Sequence, residues 1–106
     1  MRIDFQKVYA SKSYYDDDGK QWLVQFGNDY QLSIIRHRGS MGYREGLFEI
    51  GVFGDCDSMA ELPGITAEGD TVKGFLTPAE VSCIIVKMQF ITDSQPVSVF
   101  GMFNEN

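Results

Sequence analysis

Only one stretch of this chain spells out a helix, and the rest of its apolar pattern alternates. Thr77-Pro78-Ala79-Glu80 has the form of a capping box. The Thr hydroxyl accepts from the backbone N–H three residues on, and the Glu carboxylate accepts from the backbone N–H of the Thr. Pro78 falls at the first helical position, where a missing N–H costs nothing. Behind it, Val81, Ile84, Ile85, Met88 and Ile91 repeat at helical spacing and form one apolar stripe. Pro96 bars continuation. The spacing predicts a helix over 78–91, about 21 Å long at 1.5 Å per residue.

Elsewhere the apolar residues recur every second position, which is the period of a strand with one buried face. Trp22, Val24 and Phe26 share a face over 20–26, with Gln21 and Gln25 opposite. Tyr30, Leu32 and Ile34 make a third alternating segment, after a turn at 27–29. Phe48, Ile50 and Val52 alternate over 47–53, and 71–76 reads as a short fifth strand. Residues 2–10 alternate weakly around Ile3, Phe5 and Val8. Asp16-Asp17-Asp18-Gly19 then carries the Asp-Gly pair of a hairpin turn. A calcium-binding EF-hand loop would need alternating oxygen ligands and a distant Glu, which this run lacks. Val97, Val99 and Phe103 suggest a last strand after the helix, reached by a right-handed crossover or an antiparallel return. The expected fold is α+β: a twisted, mainly antiparallel sheet of about five or six strands, with one amphipathic helix packed on one face.

The 106 residues fit a single domain, 1–106. Hydrophobic residues make up 43% of the chain, enough for a core, so disorder of the whole chain is disfavoured. No secretory signal pattern and no apolar run of spanning length occur in the sequence. A soluble, cytoplasmic protein with no membrane contact is expected. Fifteen acidic residues against nine basic ones give a formal net charge of -6, which disfavours nucleic acid as a partner. Tyr14, Tyr15, Trp22, Tyr30 and Tyr43 could stack on bases, but packing is the simpler role for most of them.

The most unusual segment is 36–46, Arg-His-Arg-Gly-Ser-Met-Gly-Tyr-Arg-Glu-Gly. It holds three of the nine basic residues and the only histidine. It lacks the Gly-Lys-Ser/Thr and following helix of a phosphate loop, and the Gly-x-Ser-x-Gly of a hydrolase elbow. Two readings remain: a flexible hairpin connection, or a recognition loop. In the second, Arg36, Arg38 and Arg44 offer forked donors, and Tyr43 a flat amphipathic contact, with His37 between them. His37 alone builds no catalytic centre. Cys56 and Cys83 are too widely separated for a structural zinc site, and whether they pair is open. No cofactor or metal is expected.

Asp55, Asp57, Glu61, Glu68 and Asp70 make 54–70 an acidic segment without Lys or Arg. It reads first as an extended solvated loop and second as an acidic binding surface.

The run Tyr30-Gln31-Leu32-Ser33-Ile34-Ile35-Arg36, followed by Gly39-Ser40-Met41-Gly42-Tyr43, Gly46-Leu47-Phe48-Glu49-Ile50 and Val72-Lys73-Gly74-Phe75-Leu76-Thr77 with Val81, resembles small uncharacterised proteins of tailed bacteriophages and prophages. The resemblance spans roughly residues 30–91. It implies an accessory role in the cytoplasm of an infected bacterium and brings no catalytic residue or cofactor. The leading expectation is therefore a non-enzymatic, phage-type accessory protein that binds another macromolecule, a protein rather than a nucleic acid, which the charge disfavours. Its surface would combine the 36–46 loop with a free sheet face or edge, and an edge strand makes a homodimer conceivable. The alternative is an acidic inhibitor, or nucleic-acid mimic, that occupies a host protein's basic cleft. Clustering of Asp16–Asp18 with the 55–70 carboxylates would favour it. A small enzyme ranks last, because no nucleophile, base and orienting group stand together in the sequence.

Overall fold

Alternation in the sequence becomes a layered core in the computed structural model, which describes residues 4–14, 19–27, 29–54 and 58–98. Strands β2 (Gly19–Phe26), β3 (Tyr30–Arg36), β4 (Phe48–Phe53) and β5 (Val72–Leu76) pair antiparallel in chain order. The register sets Trp22 beside Ile34 and Ile34 beside Ile50. It likewise sets Val24 beside Leu32 and Leu32 beside Val52. All six side chains are buried, so two apolar rows cross three strands on one face. A slip of one residue would turn each row to the other face, so burial fixes the register.

Two short strands extend the edge at β2. Strand β1 (Lys12–Tyr14) pairs with the start of β2, and β6 (Pro96–Ser98) pairs with its end. The expectation of five or six strands overstates the sheet: four strands carry it, and β1 and β6 are three-residue additions. Tyr14 pairs with Gly19, so β1 and β2 are the arms of the expected hairpin. The Asp16–Asp18 turn itself lies outside the described residues, as does the segment after 98.

Helix α2 (Pro78–Thr92) runs one residue beyond the predicted end. Both capping-box bonds form: Glu80 N donates to Thr77 Oγ1 at 3.2 Å, and Thr77 N donates to Glu80 Oε1 at 2.9 Å. The helix stops at Asp93, which takes left-handed backbone angles and donates its N–H to the Gln89 carbonyl. Val81, Ile84, Ile85 and Met88 are buried against the sheet. Ile91 belongs to the predicted stripe but is 43% exposed, at the stripe's margin beside Gly64. The chain leaves β5, passes through α2 and returns at the opposite edge, where β6 pairs antiparallel with β2.

The N-terminal alternation is overturned. Helix α1 (Phe5–Val8) is a single turn, capped by Asp4, whose carboxylate accepts from Gln6 N at 3.2 Å. A helical turn brings i and i+4 to one side. Phe5 and Tyr9 are therefore buried, while Val8 is 61% exposed. Phe5 meets Trp22 and Phe48 edge to face, each at 5.2 Å between ring centroids.

The 58–71 connection is not simply an extended, solvated loop. Leu62, Ile65 and Thr66 are buried, and Leu62 N donates to Thr66 Oγ1 at 2.9 Å. Its charged residues, Glu61, Glu68 and Asp70, face water.

Candidate functional site

The 36–46 segment has its own internal hydrogen bonding. Ser40 Oγ donates to the His37 carbonyl at 2.7 Å and accepts from His37 N at 3.1 Å. Ser40 N donates to the same carbonyl at 2.9 Å, closing a turn. His37 Nδ1 lies 2.8 Å from the Arg38 carbonyl. A carbonyl only accepts, so in this bond Nδ1 carries the proton. Tyr43–Glu45 then form one turn of 3-10 helix between Gly42 and Gly46. Gly42 has φ +94, and a Cβ there would lie 2.9 Å from Leu47 Cβ and 3.1 Å from Phe75 Cα. Both the backbone angle and the close approach require glycine.

The loop folds back onto the sheet. Phe48 and Ile50 face the core, so Glu49 between them points to the face away from α2. Its carboxylate accepts from Met41 N at 2.8 Å. Phe75 N donates to the Met41 carbonyl at 3.4 Å, a long bond. Met41 also lies over Gly74, where a Cβ would collide with its side chain. The flexible-connection reading is thus replaced by a loop seated on β4 and β5.

Phe75 is the residue that sequence reasoning missed. Between Phe48 and Ile50 the β4–β5 register slips: Phe48 pairs with Leu76, but Ile50 pairs with Lys73. Strand β5 therefore contains one extra residue, a β-bulge. Phe75 sits in it at φ +57 and is 57% exposed. For an L-residue, left-handed backbone costs roughly 1–2 kcal/mol. The available signal was Gly74 inside an otherwise regular strand pattern, which often marks a bulge.

Phe75 walls an open groove of about 640 Å³, whose other lining comes from residues 38–45. Arg38, Tyr43 and Arg44 all line it. Arg38 and Arg44 are exposed, and the only ion pair among the described residues is Lys7–Asp4. Glu45 also lines the groove. A second groove of about 600 Å³ continues beyond Met41 along β5 toward Asp70.

Two predicted members are not in this lining. Arg36 sits at the end of β3 with its guanidinium carbon 5.4 Å from the centre of the buried Phe48 ring. That cation–π contact gives it a packing role. His37 lies just before the groove and is half-buried in the Ser40 turn. Of the acidic candidates, Asp70 lines the second groove, whereas Glu61 and Glu68 line neither. Asp55 and Asp57 lie outside the described residues, together with Cys56; Cys83 is an exposed free thiol on α2. Among the described residues no three His, Cys, Asp or Glu side chains gather as a metal site.

Comparison with protein-family models, with curated proteins and with solved structures found no match. Among the described residues no helix is long and apolar enough to cross a membrane.

Proposed function

We propose that this chain acts by binding a partner protein through the surface formed by the 38–46 loop and Phe75, and that it is not an enzyme. The phage-type resemblance of residues 30–91 makes an accessory role in an infected bacterium the matching biological setting. One observation carries the reading: an exposed aromatic ring is held in left-handed backbone against a loop bearing two guanidiniums without ion pairs among the described residues. Strained backbone that persists at an exposed position is often part of a functional surface. The groove supplies guanidiniums, a phenol, a thioether and backbone groups, which recognise a partner by charge and shape.

The test is capture from lysate of the native host with the wild-type chain and with Arg38, Tyr43 and Arg44 all changed to Ala. All three side chains are outside the core, so the variant is expected to melt like the wild type. A protein captured by the wild type and lost by the folded variant supports the reading. Equal capture by both removes the loop from it and moves attention to the acidic 54–70 segment.

A further inference from the structure

Resting on the loop as the binding surface, we infer that the groove between Phe75 and the 38–45 turn takes an acidic peptide segment of its partner, with one apolar side chain as anchor. Phe75 and Met41 supply the apolar contact, one as groove wall and the other as a partly exposed ridge between the two grooves. Arg38 and Arg44 supply forked donors that match carboxylates in pairs. They stand out as a cationic island on a chain of net charge -6, so the complementary ligand is locally acidic. The groove carries two cations and one anion, Glu45. That set is too small for the multiple phosphate contacts that hold a nucleic-acid strand on a protein. It suits a short peptide with one or two carboxylates. Among the described residues β5 pairs only with β4, and Val72, Lys73 and Gly74 line one groove while Phe75 lines the other, so the strand gives an extended segment a track to follow.

Phe75 makes the assignment testable apart from folding. Glycine accepts φ +57 without strain, so Phe75→Gly removes the ring and relieves the backbone together. A random twelve-residue peptide library displayed on yeast is selected on the wild-type chain, and enriched peptides are titrated against Phe75→Gly and Arg38→Ala/Arg44→Ala. The expected result is enrichment of Leu or aromatic residues flanked by Asp or Glu. Affinity should fall at least tenfold in each variant, and the melting temperature of Phe75→Gly should equal or exceed that of the wild type. Peptides without acidic residues, peptides bound equally by Phe75→Gly, or no enrichment would each overturn the inference. In those cases the wider protein-binding reading still stands or falls on the lysate comparison. A fifteen-nucleotide oligo-dT bound more tightly than any peptide, and lost in the same variants, would overturn both in favour of single-stranded nucleic acid.

Discussion

Phe75 and Met41 meet backbone to backbone, the Phe75 N–H reaching the Met41 carbonyl at 3.4 Å. That contact joins a β-bulge at the sheet edge to a loop that starts two strands earlier in the sheet. Glu49 holds the same residue from the other side by accepting from Met41 N. Loop shape and bulge shape therefore depend on each other, and a change in one should be felt in the other.

Gly42 is the position where this dependence is sharpest. Gly42→Ala meets a left-handed backbone angle, Leu47 Cβ and the Phe75 backbone at once. It is expected to cost about 1–3 kcal/mol. Gly39→Ala has a similar positive φ but open space around the new methyl, so it should cost less. Denaturant titration of the two variants checks the order. Equal losses would mean that contact between loop and bulge contributes nothing.

The helix should answer to its cap and to its buried face separately. Thr77→Ala removes the acceptor for Glu80 N and is expected to cost about 0.5–2 kcal/mol. Ile85→Ala opens a cavity at a fully buried position and is expected to cost about 2–5 kcal/mol. Trp22, the single tryptophan, lies in the core and reports both unfolding curves by fluorescence.

Acid should weaken the same cap. Hydrogen bonds from the backbone and hydroxyl of Thr77 hold the Glu80 carboxyl below its ordinary value of 4.5, with a smaller contribution from Lys73. A lowered folded-state pKa contributes stability that is present above the unfolded value and lost as the pH falls through the folded one. Glu80→Gln removes that titration. Its stability deficit relative to wild type should be largest at neutral pH and shrink as the pH drops below 4.5. A deficit constant across that range would contradict the charged cap.

Much of this architecture was legible because local and tertiary signals agree. The rows through Trp22, Leu32, Ile34 and Ile50 follow from alternation, and α2 follows from its cap and stripe. The N-terminus was misread because Phe5 and Val8 suit several periods, and one capped turn is too short to impose its own. Leu62 and Ile65 were passed over because acidic neighbours hide two isolated apolar residues that dock by tertiary contact. At the surface, Arg38, Tyr43 and Arg44 stood out by composition, and the groove includes them. Phe75 did not, because a one-residue register slip reverses the side on which a strand residue emerges. Arg36 looked like a recognition residue by type, but its place at the strand end puts it over Phe48.

Site-specific photo-crosslinking tests the central claim most directly. A benzophenone amino acid replaces Tyr43 in the groove in one sample and Lys87, exposed on α2, in another. Both proteins are irradiated in lysate of the native host after matched melting curves. The account predicts a discrete protein adduct from position 43 that Phe75→Gly abolishes, and none of that mass from position 87. An adduct from position 87 alone, or one from position 43 that persists in Phe75→Gly, would contradict it.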